Sequence, residues 1–522
     1  MNTAYDLVAL AAERVPDNLA LVDDLTHRRV TYRLLVQEID AVAAGFAARN
    51  VKPGAVVATA LPNLWEHCIA VLALQRLGAV VALLNFRLNA RQLGQMIGDV
   101  KASAALIRNE AQLAHAVAQS LPAGAPLWTV GAAVGPAEDF ASCRSMMTPL
   151  APHVPAPEDA AFMFFTSGTT GAPKAAVIPH RATEPRITWI SMLAGVRPDT
   201  DLRTLGAAPL FHAMGFYGPF MATLAYGGTF YIMSAFDPVE AVRVIDLHRI
   251  TLVFAVPTML QAIFNAPNYR PERCSSVRHA ITGGSAVMPP LWRQFASDWQ
   301  AQIMHGFGTT EMMCPLYSTD PAERPRTVRK AYGWRARVVK LGGSPDEIVK
   351  PGDIGELILD MRNDCAFLGY HDAAETNAAK IRGGWHFTGD LALLNQDGSL
   401  DLLGRADDRI RSGAESIYPD EIESVLASHP EVKEICVVGI PDRLWGERVV
   451  ACVIAKDVKD WRRLDAHCLA SALAPFKRPR GYIFVTAIPR TATNKYDRKA
   501  VRDLIMNSRN ANEEDEIWLF AA

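Results

Sequence analysis

Thr166-Ser167-Gly168-Thr169-Thr170-Gly171-Ala172-Pro173-Lys174 follows directly on the apolar run Ala161–Phe165, and this stretch decides how the rest of the chain is read. Nine positions hold four hydroxyls, two glycines and a lysine. Glycines let backbone N–H groups turn toward an anion, hydroxyls add donors, and lysine adds a point charge. That is the chemistry of a loop that cradles a polyphosphate. It is not a Walker A loop, in which G-x-x-x-x-G-K-[ST] opens a helix aimed at the phosphates. Here Ala175-Ala176-Val177-Ile178-Pro179 comes next and reads as a second strand, so the loop joins two strands. The plainer alternative is a solvated Ser/Thr/Gly turn.

Working outward, short apolar strands recur at Ala79–Leu84, Ala104–Ile107, Thr229–Met233 and Leu252–Ala255. They alternate with helical patterns such as Tyr32–Arg49, where apolar Leu34, Leu35, Ile39, Val42, Ala43 and Phe46 lie near helical spacing. The alternation predicts an α/β fold around a mostly parallel sheet. Pro122–Pro157, rich in Ala, Pro and Gly, is expected to wander over the surface. After strand Gly398–Leu403 the charged run Gly404-Arg405-Ala406-Asp407-Asp408-Arg409 suits an exposed connection. Beyond it, Pro419 opens a helix, strands Glu434–Gly439 and Val449–Ala455 follow, and a helix is expected near Asp465–Leu473. The expected organisation is a large domain over 1–404, a smaller α+β domain over 405–506, and an acidic tail over 507–522.

Composition excludes several classes. With 522 residues, 50% of them hydrophobic and 21% charged, the chain is an ordinary globular protein of at least two domains. A net charge of −2 gives no general electrostatic reason to bind nucleic acid or anionic membrane. The apolar stretch Ile69–Leu84 is broken by Gln75, Arg76 and Gly78, and reads as buried helix then strand rather than a membrane span. The N-terminus shows no signal-peptide pattern. Eight cysteines without a C-x-x-C pair suggest neither disulfides nor zinc, and a reducing cytoplasm fits.

Other segments gain meaning beside the phosphate loop. Gly306-Phe307-Gly308-Thr309-Thr310-Glu311 offers a ring to stack on a base and a carboxylate able to hold Mg²⁺ against phosphate oxygens. Trp385-His386-Phe387-Thr388-Gly389-Asp390 offers an acid for two ribose hydroxyls, which Arg405 can assist. Pro489-Arg490-Thr491-Ala492-Thr493-Asn494-Lys495 presents a lysine in a short polar loop, where a solvated lysine is otherwise the common fate.

In order and spacing this set resembles the adenylate-forming superfamily of acyl-CoA synthetases, luciferases and peptide-synthetase adenylation domains. The resemblance runs from about residue 5 to 503 and is strongest toward the 4-chlorobenzoate–CoA ligase branch. It implies a large N-terminal α/β domain of adenylate-forming type and a smaller, mobile α+β C-terminal domain. It also implies two half-reactions: attack of a carboxylate on the α-phosphorus of Mg·ATP, then displacement of AMP by the CoA thiol. ATP would be held by Thr166, Ser167, Gly168, Thr169, Thr170, Gly171 and Lys174, with Gly283, Gly284, Ser285, Phe307, Gly308, Thr309 and Thr310 around the nucleotide. Asp390 and Arg405 would take the ribose, Glu311 the Mg²⁺, and Lys495 the charge developing during adenylation.

The resemblance further places the acid among Trp189, His212, Ala213, Met214, Phe254, Gly283, Gly306, Gly308, Met313 and Cys314. Aromatic, small and soft apolar groups suit a flat or compact hydrophobic acid; a medium-chain or alicyclic acid is the alternative. His212 would act at the carboxylate entrance, or else pack as a core histidine. Asp407 matches the hinge about which the small domain turns between half-reactions. Gly413, Ala414, Trp445, Phe476 and Arg478 would then face CoA. Lys477, Arg478 and Arg480 suit its phosphates or form a solvated face. Ala414 stands where the relative has glycine, and its methyl narrows the thiol's path. The sequence leaves a homodimer open.

Overall fold

The computed structural model describes residues 3–145, 150–151, 153–166, 173–198, 200–284, 287, 289–318, 320–412, 415–456, 460–471, 473–491 and 496–509. Expectations placed on Ser167, Gly168, Thr169, Thr170, Gly171, Ser285, Gly413, Ala414, Lys495 and the tail from 510 lie outside the described residues.

Among the described residues the strands form three sheets, of fourteen, eight and five strands. The eight-stranded sheet has parallel strands Val56–Ala60, Val80–Leu83, Ala104–Ile107 and Ala160–Thr166 at its centre. Their side chains are buried on both faces, which explains near-continuous apolar runs in place of alternation. Helix Trp65–Arg76 packs beside them and buries ten of its residues, from Trp65 to Gln75. A helix buried on nearly every face packs in the interior of the domain. Gly78 ends it in the left-handed region at φ 70°. Among the described residues no helix is long and apolar enough to cross a membrane.

The largest sheet departs from the mostly parallel expectation. Leu19–Asp23, Arg203–Gly206, Thr229–Ile232, Leu252–Phe254, His279–Gly283 and Gln302–Thr309 run parallel. From Gln302–Thr309 onward the pairing with Met313–Tyr317, Thr327–Lys330, Leu400–Arg405, Trp385–Leu394 and Ile354–Asp360 is antiparallel. The link from Thr309 to Met313 is too short for a parallel crossover, so the chain must double back there.

Two further expectations shift. Pro122–Pro157 includes strands Leu127–Thr129 and Glu138–Asp139 and the 3₁₀ turn Phe140–Ser145, anchored by the buried rings of Trp128 and Phe140, 5.0 and 5.9 Å from Phe46. The helix expected near Asp465 begins at Trp461, because the Asp460 side chain caps it by accepting from the Arg462 N–H. The large sheet ends at Arg405, Ala406–Asp408 form a 3₁₀ turn, and the five-stranded sheet begins with Ile410–Ser412. That sheet carries helices Pro419–Leu426 and Arg498–Arg509 and a core of Val437, Val449, Ala451 and Val453 among others.

Candidate active site

Strands Ala160–Thr166 and Lys174–Pro179 pair antiparallel, with Thr166 opposite Lys174. The short strand Gly369–Tyr370 adds to the outer edge of Lys174–Pro179, with Tyr370 opposite Ala176. Asn377 fixes it by accepting from the Tyr370 N–H at 2.7 Å and donating to its carbonyl at 2.8 Å. From there the Tyr370 hydroxyl donates to Glu311 Oε1 at 2.6 Å. One side chain thus ties the phosphate-loop hairpin to the carboxylate proposed for the metal.

Glu311 is buried, 7% exposed, and its backbone is held from two directions. Its carbonyl accepts from the Phe367 N–H at 2.9 Å and from Arg186 Nη2 at 3.0 Å. Arg186 is itself wholly buried on helix Thr183–Leu193 and also donates to the carbonyls of Thr310 and Cys365. Its guanidinium lies 5.4 Å from the Tyr217 ring centroid. Burial raises the Glu311 carboxyl, but His386, the Tyr370 hydroxyl and backbone N–H donors outweigh it and hold it below its usual value. Burial, then the neighbouring Glu311, raises Tyr370, so that residue stays a donor. Burial lowers His386 to about 4, leaving its ring neutral at pH 7. At that pH Tyr370 and the backbone carry the stabilisation of the carboxylate.

Strand Trp385–Leu394 brings Asp390 to the same region. Asp390 lies opposite Arg405 on Leu400–Arg405, and Arg405 Nη1 is 3.5 Å from both carboxylate oxygens. The same nitrogen donates to the Thr388 carbonyl at 2.8 Å. Gly389 has φ 79°, and a Cβ there would lie 2.9 Å from Arg405 Nη2, so glycine is required between the two functional groups. Burial lowers Arg405, yet Asp390 and Glu311 raise it overall. Glu311, His386, Asp390 and Arg405 therefore share one field.

A third group lies along the parallel pair His279–Gly283 and Gln302–Thr309, where Gly283 faces Gly306. A Cβ on Gly283 would sit 2.5 Å from the Gly306 carbonyl oxygen, and one on Gly308 2.1 Å from that of Met313. The backbones approach too closely for any side chain. Met313 itself has φ 64°, a strained value for a bulky residue, where the Phe307–Thr309 segment bulges against it. Phe307 is half-buried, and Gly284 has φ 86°.

The acid-pocket candidates are apolar where the structure describes them. Trp189 lies 6.1 and 6.5 Å from the rings of Tyr332 and Trp334. Phe254, Ala213, Met313 and Cys314 are buried, and Met214 is half-buried. A Cβ at Gly306 would meet Cys314 Sγ at 2.5 Å and Met304 Sδ at 3.0 Å. Burial pushes the Cys314 thiol up to about 12, so it stays neutral. His212 is half-buried before the short helix Ala213–Gly215, with its ring 4.4 Å from that of Phe211.

In the small domain Trp445 and Phe476 are exposed by 50% and 43%. The proposed phosphate-binding cluster proves less free than its sequence suggests. Lys477 pairs with Glu421 at 2.8 Å, and Arg478 pairs with Asp465. Asp407 is exposed in the turn between the sheets. Arg186, Tyr370 and Met304 had no assigned part in the sequence reading. An arginine inside the otherwise apolar Ile187–Leu193 neighbourhood was the available signal for the first, since a buried arginine needs partners.

Two AMP-binding enzyme families match the chain: the AMP-binding enzyme domain over residues 8–371 and the AMP-binding enzyme C-terminal domain over 421–495. The chain is 38% identical to a 4-chlorobenzoate–CoA ligase from Arthrobacter sp over 505 residues, 97% of this chain and 96% of that protein. It is 33% identical to a feruloyl-CoA synthase from Amycolatopsis sp, covering 91% and 93%. Its fold superposes on the crystal structure of the anthranilate CoA ligase AuaEII in complex with anthranoyl-AMP with a TM-score of 0.88, at 24% identity, over 97% and 98% of the two chains.

Proposed function

Because the chain belongs to the AMP-binding enzyme family, and is accordingly an ATP-dependent, AMP-forming acid–CoA ligase, we propose that the acid it activates is aromatic or similarly compact and hydrophobic. The observation that carries this reading is the neutral, apolar and sulfur-bearing character of the candidate set: Cys314 and Met304 against Gly306, the buried Met313, and Trp189 among further rings. Such a lining binds a flat apolar body and repels a second charge. The 4-chlorobenzoate and feruloyl substrates named for the relatives point the same way.

In the first half-reaction a carboxylate oxygen attacks the α-phosphorus of ATP, the bond to the β-phosphate oxygen breaks, and pyrophosphate leaves. In the second, the CoA sulfur attacks the acyl carbon and AMP leaves. The protein's part is positioning and charge neutralisation. Thr166, Lys174 and the loop between them take the triphosphate, Asp390 and Arg405 take the ribose, and Phe307 takes the base. Lys495 neutralises the carboxylate and α-phosphate, and His212 acts at the carboxylate entrance. Asp407 is the hinge, and Trp445, Phe476, Arg478, Gly413 and Ala414 meet CoA.

The residues fit Mg²⁺. Glu311 is ionised, with Tyr370, the Thr309 hydroxyl and a backbone N–H stabilising its negative charge, and an anionic oxygen donor of this kind suits a hard cation. Among the described residues no group of three or more His, Cys, Asp or Glu forms a metal cage. Glu311 would hold the ion through its carboxylate, and the nucleotide would supply further oxygen donors. When bound it would offset charge on those oxygens.

A pyrophosphate-release screen with CoA over benzoates, cinnamates, medium-chain and alicyclic acids tests the substrate class. The highest kcat/KM is expected on an aryl acid. A medium-chain or alicyclic acid leading by tenfold or more would overturn it.

A further inference from the structure

A buried guanidinium outside the proposed nucleotide and acid sites joins the interdomain turn to the segment that carries Lys495. Arg498 opens helix Arg498–Arg509, and its side chain is 17% exposed. Nη2 donates to Asp420 Oδ1 at 2.7 Å and Glu423 Oε2 at 3.1 Å. Nη1 donates to Glu423 Oε1 at 2.5 Å and to the Val437 carbonyl at 2.7 Å. Nε faces Asp408 Oδ2 at 3.5 Å. One side chain thus gathers helix Pro419–Leu426, strand Val432–Asp442, its own helix, and the 3₁₀ turn Ala406–Asp408 between the two large sheets.

The loop before Arg498 has a fixed base. Arg490 bridges to Tyr496, lies 4.7 Å from its ring centroid, and pairs with Glu434 at 2.6 Å. The Asp497 N–H donates to the Pro489 carbonyl at 3.0 Å. Lys495 is three residues from Arg498, a reach of about 10 Å at most. Asp420 also abuts the large domain, since a Cβ at Gly404 would lie 3.1 Å from its Oδ2.

We propose that Arg498 and Asp408 are positioning residues, which register the base of the Lys495 loop against the interdomain turn so that the lysine arrives at the α-phosphate when the small domain takes its adenylation pose. The proposal rests on the function assigned above to Lys495 and Asp407. Its chemistry is that of a fork of N–H donors seated on Asp420, Glu423 and the Val437 carbonyl, which aims Nε at Asp408 in an ion pair of 3.5 Å. Three carboxylates surround this cation, more than one positive charge offsets. The Asp408 charge therefore adds little to stability: burial raises its carboxyl, which Arg498 and Arg405 only partly oppose. What Asp408 contributes is the tether.

Asp408→Ala, which removes the acceptor oxygen as well as the charge, separates tethering from stability. ATP–pyrophosphate exchange, thioester formation from a preformed acyl-adenylate, and melting temperature are measured for the full-length enzyme. The expected result is about a tenfold fall in kcat for exchange, an unchanged KM for ATP, thioester formation within twofold of the parent, and no loss of melting temperature. Arg498→Lys, which keeps the charge but loses the fork, should fall in exchange by at least as much. Equal loss of both half-reactions, or exchange equal to the parent in Asp408→Ala, would overturn the proposal. A parent enzyme that exchanges pyrophosphate with no acid would instead overturn the function on which it rests.

Discussion

His180→Phe should make the protein more resistant to acid, by an amount the structure fixes. His180 begins the turn that follows strand Lys174–Pro179, and only 1% of it is exposed. Neither ring nitrogen has a hydrogen-bond partner among the described residues. Burial, reinforced by His153 and opposed by Asp159, lowers its pKa to about 4, against about 6.5 in the unfolded chain. A depressed histidine contributes stability in full above the unfolded value and loses it as pH falls toward the folded one. At pH 7 the proton-linked loss is well under roughly 1 kcal/mol, and at pH 5 it reaches about 2 kcal/mol. Phenylalanine binds no proton, so its stability relative to the parent should rise by about 2 kcal/mol between pH 7 and pH 5. The larger ring carries a packing cost, but that cost is the same at both pH values and cancels in the difference. Urea unfolding of both proteins at the two pH values, followed by a large-domain probe, measures it. A parent–variant gap that does not change with pH would refute the burial argument. His67 and His386 are likewise lowered to about 4, so the three together should weaken the large domain on the order of 5 kcal/mol over this interval. That is comparable to a typical domain's whole stability.

Glu311→Gln should reduce ATP–pyrophosphate exchange about 100-fold through lost charge complementarity, while Tyr370→Phe should cost about tenfold by freeing the carboxylate to move; steady-state exchange at saturating Mg·ATP reads both. Gly306→Val should shift the acid panel toward smaller acids, because its Cβ would meet Cys314 Sγ at 2.5 Å; an unchanged panel would place the acid elsewhere. Lys495→Ala should abolish adenylation and largely spare thioester formation from a supplied acyl-adenylate, which rapid-quench assays of the separate half-reactions resolve. Ala414→Gly should accelerate the second half-reaction in the same assay, by removing a methyl beside the thiol's path.

Where a motif is contiguous, the sequence by itself proposes the chemistry of the candidate site. Thr166–Lys174, Gly306–Glu311 and Trp385–Asp390 each carry their functional groups within a few residues, and glycine marks the close approaches at 283, 306, 308 and 389. Strands and helices of the parallel core were legible because burial on both faces writes itself as apolar runs. What composition could not reveal is pairing direction and distant partners. The antiparallel half of the largest sheet follows from connections such as Thr309 to Met313, whose length matters more than their residue types. The buried segment around Trp128 and Phe140 was hidden by surrounding Ala, Pro and Gly, which mimic a surface loop. Lys477 and Arg478 read as free cations because their partners, Glu421 and Asp465, lie 56 and 13 residues away.

The position of Glu311 shows why a short motif is insufficient as an explanation of a site. A carboxylate this deeply buried would ordinarily protonate or move toward water. Here the turn that carries it is held through the Thr310 and Glu311 carbonyls by Arg186, 124 and 125 residues away, and its side chain by Tyr370, 59 residues away. Neither partner adds a competing negative charge, so the carboxylate keeps its attraction for a cation. Tyr370 stands on the strand paired to the phosphate-loop hairpin, so any displacement of that hairpin is transmitted to the same oxygen pair. The hairpin proposed for the triphosphate and the carboxylate proposed for the metal are therefore joined through Tyr370. A perturbation at Asn377, which fixes Tyr370 through its backbone, should accordingly weaken metal-dependent exchange more than it weakens binding of AMP.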